Sequence, residues 1–253
     1  MPSFLNDILK NSEKKIAILV DPDKVNTQSE LNPLLKKIEA LESAVIFVGG
    51  STVDPVDFDN CISVIKENSN VPIILFPGSS MQISDKADGI LFLSLISGRN
   101  PDFLIGHQVE SAHLIKKMDL EVIPTGYLLI DGGKTSAVSY VSQTSPIPAD
   151  QITIAVNTAI AGEMLGLDVL FMDAGSGAKH PVNVDMIAAV RKNIHIPLVV
   201  GGGIKTVEDI EAAIGAGADL VVIGNRIEED TDFLLDIKSL LRKERVFSMN
   251  NLN

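Results

Sequence analysis

The sequence predicts a modified (β/α)8 barrel in which the third helix is reduced or missing. Short runs rich in Val, Ile, Leu and Phe alternate with longer amphipathic segments almost from end to end, and eight such runs are present. Each run is continuously apolar, which is typical of strands buried on both faces of a parallel sheet. Eight strands that alternate with helices favour a closed barrel, and a doubly wound open sheet is the alternative.

The order of the elements follows from this alternation. The strands are expected at residues 16–21, 44–50, 72–78, 89–97, 121–130, 168–173, 197–204 and 220–227. Helices are expected at residues 27–41, 58–66, 101–118, 153–165, 184–193 and 207–216, with a last helix at 232–242. Residues 78–88 are too few and too polar for a full crossover helix, which is why the third helix is expected to be reduced. Residues 131–151 are rich in Ser, Thr, Gly and Pro, as in functional loops.

Length and composition indicate one domain with a large core. The 253 residues fit a single barrel spanning residues 1–253, because such barrels usually run to about 250 residues. The hydrophobic share of 45% excludes disorder over most of the chain. The lone Cys61 excludes an internal disulfide and a zinc–thiolate cage.

The charge and the apolar pattern exclude several classes of protein. A formal net charge of −12 argues against a nucleic-acid partner, because binding to phosphates needs a basic face. No transmembrane segment is expected, since no apolar run approaches the ~18 residues that a spanning helix needs. The N-terminus lacks the basic start and apolar stretch of a signal peptide, so a cytoplasmic location is expected. His107 and His113 lie in a helical segment and are expected to be packing or surface groups.

Glycines follow the last two predicted strands and indicate a phosphate site. Gly201-Gly202-Gly203 ends the seventh strand, and Gly224-Asn225 ends the eighth. Glycines let backbone N–H groups approach an anion closely, and phosphate sites are frequent after strands seven and eight of barrels. Thr206 and Asp209 form a capping-box pattern at the start of the following helix. The alternative is that these glycines only make tight turns.

Asp173-Ala174-Gly175-Ser176-Gly177 places a carboxylate and a hydroxyl beside this predicted phosphate site. A carboxylate close to a phosphate is unfavourable unless it serves another part of the substrate. Orienting a substrate hydroxyl, or removing its proton, would give Asp173 that role. The alternative is that Asp173 caps a helix.

The end of the first predicted strand carries Asp21 and Asp23. Carboxylate and hydroxyl oxygens suit Mg²⁺, which usually takes one or two protein ligands and leaves the rest to phosphates and water. Ser51 or Thr52, at the end of the adjacent strand, could supply the hydroxyl. The alternative is an Asx-turn at Asp21 with Asp23 in solvent.

Taken together, these motifs resemble the geranylgeranylglyceryl phosphate synthase family, which includes the bacterial heptaprenylglyceryl phosphate synthases. The resemblance spans almost the whole chain, and the reduced third helix is similar to that family's barrel. The motifs that carry it are Asp21-Pro22-Asp23-Lys24, Gly49-Gly50-Ser51, Asp173-Ala174-Gly175-Ser176-Gly177, Gly201-Gly202-Gly203 and Gly224-Asn225. One branch of the family has a lysine two residues before the metal aspartate, where this chain has Leu19. The chain therefore resembles the other branch, whose usual donor is the geranylgeranyl group.

The resemblance implies a Mg²⁺-dependent prenyltransferase. It also implies that the protein forms homo-oligomers. Such enzymes join the C3 hydroxyl of sn-glycerol 1-phosphate to a polyprenyl diphosphate. By this likeness Asp173 is catalytic, and Asp21 and Ser51 hold Mg²⁺ against the diphosphate. The residues implied to bind glycerol phosphate are Phe171, Met172, Asp173, Ala174, Gly175, Ser176, Gly177, Gly202, Gly203, Gly224 and Asn225. The family often has Tyr-x-Glu where this chain has Phe171-Met172-Asp173.

Other functions are compatible with the same residues. One is the same transfer with a prenyl chain of different length. A second is a phosphate-binding isomerase or lyase, which would need neither a prenyl groove nor Mg²⁺. A third is a non-catalytic sensor of a phosphate ligand, which would bind glycerol phosphate without turnover.

Overall fold

A computed structural model describes residues 15–25, 27–41, 44–50 and 53–250, and these form a closed barrel of parallel strands. Each strand pairs with the next in sequence order, and β8 pairs with β1 to close the ring. This closure confirms the predicted barrel and excludes the open sheet. The strands are β1 (Lys15–Val20), β2 (Ala44–Val48), β3 (Ile73–Leu75), β4 (Gly89–Leu95), β5 (Glu121–Leu129), β6 (Val169–Asp173), β7 (Leu198–Gly201) and β8 (Leu220–Ile223).

Helices surround the barrel and follow most of the strands. They are α1 (Gln28–Glu39), α2 (Pro55–Asn68), α3 (His107–Ile115), α4 (Ala137–Ser142), α5 (Ile152–Met164), α6 (Val184–Asn193), α7 (Val207–Gly215), α8 (Asn225–Glu229) and α9 (Phe233–Asn250). A π-helical turn, Asp102–Gly106, leads into α3. The predicted capping box begins α7, because the Thr206 hydroxyl accepts from the Asp209 N–H and the Asp209 carboxylate accepts from the Thr206 N–H. Within the described ranges, no helix is both long and apolar enough to cross a membrane.

The connection between β3 and β4 contains no helix, although all of its residues are described. This confirms the predicted loss of the third helix. Gln82, which is 1% exposed, holds the connection in place. Its side-chain oxygen accepts from the Gly78 N–H at 2.8 Å, and its amide donates to the Gly50 carbonyl at 3.0 Å. The polar residues of this segment therefore satisfy its backbone without a helix.

Several predicted boundaries differ from the structure, among them the carboxyl ends of the third, seventh and eighth strands and of the last helix. The eighth strand ends at Ile223, whereas the sequence pattern extended it to residue 227. Ile227 is buried on the short helix α8, so an apolar residue at this position is compatible with either element. The long segment after β5 contains the helix α4, and an isolated bridge joins Ile130 to Ile147.

The core consists of two layers separated by the strands. Alternate residues of each strand point into the barrel or outward against the helices. The inner layer contains Ala17, Val45, Phe47, Ile74, Leu91, Leu95, Ile123, Tyr127, Leu129, Val169, Phe171, Val199, Leu220 and Val222. The outer layer includes Ile16, Ile18, Leu31, Leu35, Ile62, Leu170, Met172, Ile187 and Ile210. Because all strands are parallel, their carboxyl ends meet at one mouth of the barrel.

Candidate active site

A cavity of about 640 Å³ opens at the carboxyl ends of the strands. This volume is within the roughly 300–1,000 Å³ of small-molecule sites. Loops that follow β1, β2, β3, β6, β7 and β8 line one part of it, and these loops carry mostly polar residues and glycine. Apolar side chains of β4 and α4 and the ring of Phe103 line the other part, together with three polar residues of α3. We call these two parts the polar end and the apolar end.

Glycines in left-handed conformations shape the polar end. Gly177, Gly202 and Gly203 line the cavity with φ angles of +69°, +79° and +72°. Residues with a Cβ rarely adopt this backbone conformation, so glycine is needed here. The backbone N–H groups of Ser176, Gly203 and Asn225 donate to no acceptor within the described residues. Unpaired N–H groups on cavity-lining loops are suited to binding the oxygens of an anion.

Asn225 joins the loops that follow β6 and β8. Its side-chain oxygen accepts from the Ser176 hydroxyl at 3.0 Å and from the Gly177 N–H at 3.1 Å. Gly224, the residue before it, lies between β8 and α8 and lines the same cavity. The two glycine-containing segments predicted from the sequence are therefore in contact, although they lie far apart in the chain.

Asp173 ends β6 and is 8% exposed. One carboxylate oxygen accepts from the Tyr127 hydroxyl at 2.5 Å, and the other accepts from the Gly175 N–H at 2.7 Å. Burial raises the pKa of Asp173, and these two hydrogen bonds offset only part of that increase. Burial also raises the pKa of Tyr127, and the nearby Asp173 charge adds to the effect. Asp173 thus combines a loop-capping contact with the raised pKa that suits a general base.

Each oxygen of Asp173 retains acceptor capacity, because a carboxylate oxygen has two lone pairs and here uses one. The carboxylate also lines the cavity beside Ser176 and Gly202. A substrate hydroxyl placed against this carboxylate could be oriented by it and transfer its proton to it. The structure is therefore compatible with the catalytic role of Asp173 as well as with the capping role.

Asp21 lies at the polar end of the cavity, just beyond β1, and its side chain is 20% exposed. One oxygen accepts from the Asp23 N–H at 3.2 Å, which is the Asx-turn that the sequence left as an alternative. The other oxygen lies 3.6 Å from the Lys24 ammonium, which bonds more closely to Glu228 at 2.7 Å. Asp21 therefore faces the cavity with one weakly paired carboxylate oxygen. Ser51 lies outside the described residues.

The residues around Asp21 fit a magnesium ion that takes most of its ligands from a bound phosphate compound and water. Within the described part of the chain, no group of three or more His, Cys, Asp or Glu residues could hold a metal. Mg²⁺ does not need such a group, because it usually binds one or two carboxylates together with phosphates and water. Asp21 offers a hard carboxylate oxygen at the cavity wall, which is the donor chemistry that Mg²⁺ prefers.

The apolar end extends into the space left by the missing helix. Leu91 and Leu93 belong to the inner face of β4, whereas Ile90 and Phe92 pack with the outer layer, yet all four line the cavity. The cavity therefore passes over β4 towards α3, where further lining residues are Phe103, His107, Gln108 and Ser111. The rings of Phe103 and His107 meet edge to face with centroids 4.7 Å apart. His107 is thus a packing residue, as expected, and it is also part of the cavity wall.

Three aromatic rings lie where the two ends of the cavity meet. Phe76 stacks on Phe171 with centroids 5.1 Å apart, and Tyr127 meets Phe171 at 5.4 Å in a T-shaped arrangement. Tyr127 stands opposite Phe171 in the β5–β6 register, so its hydroxyl reaches Asp173 from the neighbouring strand. No pattern in the sequence indicates this hydrogen bond.

The structure brings most of the predicted site residues together. Those that line the cavity are Asp21, Phe171, Asp173, Ser176, Gly177, Gly202, Gly203, Gly224 and Asn225. Met172, Ala174 and Gly175 are not among its wall residues in the described ranges. Met172 alternates with Phe171 and Asp173 along β6, so its side chain packs into the outer layer. Gly175 contributes through its bond to Asp173.

Comparisons with known proteins extend over nearly the whole chain. A family model described as the PcrB family matches residues 6–241. A geranylgeranylglyceryl phosphate synthase of Spirosoma linguale is 46% identical over 241 residues, covering 95% of this chain and 96% of that protein. One of Flavobacterium johnsoniae is 49% identical over 224 residues, covering 88% and 92%. The crystal structure of (S)-3-O-geranylgeranylglyceryl phosphate synthase from Thermoplasma acidophilum in complex with substrate sn-glycerol-1-phosphate has a TM-score of 0.88 at 32% identity, covering 96% of this chain and 98% of that chain.

Proposed function

The chain belongs to the PcrB family, and on that basis we propose that it is a geranylgeranylglyceryl phosphate synthase. The reaction joins the C3 hydroxyl oxygen of sn-glycerol 1-phosphate to C1 of geranylgeranyl diphosphate. The bond between C1 and the diphosphate oxygen breaks, and its electron pair leaves with the diphosphate. The observation that carries the proposal is one cavity in which an anion-binding polar end and an apolar end meet at Asp173.

The glycine loops of the polar end suit the phosphate of glycerol phosphate. The unpaired N–H groups of Ser176, Gly203 and Asn225 come from three different loops and line one region. Several N–H donors converging on one anion are a common form of phosphate site in barrels. With the phosphate held there, the glycerol carbons extend towards Asp173.

Asp173 would act on the attacking hydroxyl. Its carboxylate accepts the hydroxyl proton as the new carbon–oxygen bond forms, so the oxygen keeps its electron pair for C1. The raised pKa brings this base closer to neutral pH, which improves proton transfer. Tyr127 keeps the carboxylate in one orientation by its hydrogen bond.

The apolar end suits the prenyl tail, and the aromatic rings beside Asp173 suit its reactive head. Positive charge develops on the allylic carbon as the diphosphate leaves. Aromatic rings attract cations through their negative faces, and Phe76, Tyr127 and Phe171 line the cavity at this point. The tail would then extend past β4 towards Phe103.

Magnesium would be held by Asp21, with Ser51 as a further ligand implied by the family resemblance. When bound, Mg²⁺ supplies charge neutralisation to the departing diphosphate. The weakly paired oxygen of Asp21 supports this assignment. Homo-oligomerisation is part of the same proposal and follows from the family resemblance alone.

The proposed function is tested by a transfer assay with radiolabelled sn-glycerol 1-phosphate, Mg²⁺ and a series of prenyl diphosphates. The sn-3 enantiomer serves as the control. We expect a lipid-soluble product from the sn-1 substrate alone, with the geranylgeranyl donor turned over fastest. Binding of glycerol phosphate without product from any donor would favour the phosphate-ligand sensor. Faster turnover of a prenyl diphosphate longer than geranylgeranyl diphosphate would mean that the donor is that longer one.

Gly202→Ala is expected to lower kcat/KM by about one to two orders of magnitude, because small displacements of substrate-positioning groups are costly. Gly202 has a φ of +79°, and an added Cβ would stand 2.4 Å from a carboxylate oxygen of Asp173 and 2.6 Å from the Gly175 nitrogen. The glycine loop and Asp173 must therefore move apart. Steady-state kinetics with both substrates measure the effect.

Gly215→Ala is the matched control for this substitution. An added Cβ at Gly215 meets nothing within 4 Å, and the residue lies at the end of α7. Its kinetics should equal those of the wild type. Wild-type kinetics in Gly202→Ala would mean that this loop is not part of the site.

A further inference from the structure

The segment between β5 and α4, residues 131–136, is held firmly against the loop that follows β6. The carbonyl of Gly132 accepts from the Lys179 N–H at 2.9 Å and from the His180 N–H at 3.2 Å. An added Cβ at Gly132 would lie 2.5 Å from the Ala178 Cβ, so the two backbones are in direct contact. The Asp131 carboxylate accepts from the Gly133 N–H at 2.8 Å and fixes the turn between them.

The other end of this segment is fixed in the same way. Ser136 is 7% exposed, and its hydroxyl accepts from the Ser139 N–H at the start of α4. An added Cβ at Gly175 would meet the Ser136 Cβ at 2.7 Å. Both ends of the segment therefore contact the loop that carries Ser176 and Gly177, and the backbone at Lys134 is positioned relative to that loop.

The Lys134 ammonium stands directly over Gly177. It lies 3.4 Å from the position of an added Cβ at Gly177, and apart from Gly177 and its chain neighbours no other heavy atom of the described residues lies within 4 Å of that position. Lys134 forms no ion pair or hydrogen bond with any residue in the ranges that the structure describes. Of the cations that line the cavity, Lys24 and Arg226 pair with carboxylates at 2.7 Å and 3.0 Å. Lys205 donates to the Lys179 carbonyl, and Lys179, like Lys134, has no carboxylate partner in the described ranges.

An ammonium without a carboxylate partner is shared by other lysines in the described ranges, such as Lys179 and Lys192, and the position of Lys134 over the glycine loop is what distinguishes it. Among the described residues no carboxylate lies within ion-pair distance of this ammonium, and the glycine loop beside it carries an unpaired N–H group at Ser176. Lysine binds phosphate as a compact point charge. A lysine over such a loop can bind the outer oxygens of a phosphate while backbone groups bind the inner ones.

We propose that Lys134 is a substrate-binding residue that contacts the phosphate of sn-glycerol 1-phosphate from the outer side of the loop containing Ser176 and Gly177. The identity of this ligand rests on the proposed function. The diphosphate of the prenyl donor has the same chemistry, but Lys134 stands over the loop after β6, whereas Asp21 is beyond β1. Lys134 therefore serves the glycerol phosphate.

The test is Lys134→Met, with Lys134→Arg to restore the charge. Lys134 is exposed on a loop, so both variants should fold. We expect Lys134→Met to raise the KM for sn-glycerol 1-phosphate by about 10- to 100-fold, the loss of a hydrogen bond to a charged group. The kcat and the KM for the prenyl donor should change less than twofold, about the scatter of such measurements. Lys134→Arg should recover most of the affinity.

Lys192→Met is the matched control, because Lys192 is an exposed lysine in the last turn of α6, away from the cavity. It removes the same charge and should leave all three constants unchanged. An equal loss of affinity in Lys192→Met would assign the effect to net charge and overturn the inference. A change in the KM for the donor instead of glycerol phosphate would also overturn it, as would wild-type values in Lys134→Met.

Calorimetric titration with sn-glycerol 1-phosphate, without a donor, separates this inference from the proposed function. If the wild type binds this ligand but transfers no prenyl group, the proposed function fails, and weaker binding by Lys134→Met still supports the site. If the wild type catalyses transfer and Lys134→Met binds equally well, the inference alone fails. An absence of binding by the wild type would overturn both.

Discussion

Asp173→Asn should lower kcat by about 10²–10⁴-fold, the usual worth of a general base, while the protein folds normally. The substitution preserves shape and both hydrogen-bond partners. The amide oxygen can still accept from the Gly175 N–H, and the amide nitrogen can donate to the Tyr127 oxygen once that hydroxyl turns. The hydroxyl of glycerol phosphate then has no base. Steady-state kinetics measure this loss, and glycerol phosphate affinity should change little.

The same substitution should leave thermal stability unchanged or increase it at neutral pH. The pKa of Asp173 is raised in the folded protein, so folding favours the protonated form. The stability that this group contributes is present below its unfolded pKa and is lost as the pH rises through the raised folded value. At neutral pH the ionised carboxylate is therefore destabilising relative to a neutral amide. Thermal unfolding of both proteins at pH 7 measures the sign.

The thermal stability of Asp173→Asn also distinguishes a catalytic role of Asp173 from a role as a loop cap. A purely structural cap predicts that Asp173→Asn unfolds at a lower temperature and keeps its turnover in the folded fraction. That pair of results would contradict the assignment of Asp173 as base.

Tyr127→Phe tests the same role of Asp173 through the pH dependence of kcat. Loss of the tyrosine hydrogen bond should raise the pKa of Asp173 further, because that bond lowers it. The acid limb of the kcat profile should therefore move to higher pH in Tyr127→Phe. In Asp173→Asn this limb should disappear.

Much of the fold follows from local pattern alone. A strand buried on both faces must be continuously apolar, and eight such strands could be located before their pairing was known. The end of an element is harder to predict where a strand and a helix would both bury the same residue. Ile227 illustrates this, since its burial is equally consistent with a longer β8 and with α8. The missing third helix could be predicted because its segment is short and polar.

The site could be predicted where a single loop carries its own signal. Glycine is needed at Gly202 and Gly203 by their positive φ angles, and that need is visible in the sequence. The partner of Asp173 was not visible, because Tyr127 lies 46 residues away and meets it only through the β5–β6 register. The Lys24–Glu228 pair joins residues 204 apart and depends in the same way on closure of the barrel.

Asp21→Asn should lower kcat/KM for the prenyl donor by about 10³-fold, because it removes the carboxylate proposed to hold the metal at the diphosphate. The fold should survive. The asparagine oxygen can still accept from the Asp23 N–H, and Lys24 retains its closer partner Glu228. Affinity for glycerol phosphate should remain close to that of the wild type, since Asp21 bonds only with Asp23 and Lys24 in the described ranges and not with the glycine loops proposed to hold that ligand.

Magnesium titration makes this prediction specific to the metal. The variant should need a higher Mg²⁺ concentration for half-maximal turnover, whereas Asp236→Asn, which removes an exposed carboxylate on α9, should need no more than the wild type. An unchanged Mg²⁺ requirement would assign the neutralisation of the diphosphate to another group. Lys24 is then the natural choice, because its ammonium stands 3.6 Å from Asp21 and faces the same cavity. Equal losses of turnover and glycerol phosphate affinity would instead show that Asp21 supports the shape of the polar end, because a metal ligand on the donor side has no reason to weaken both.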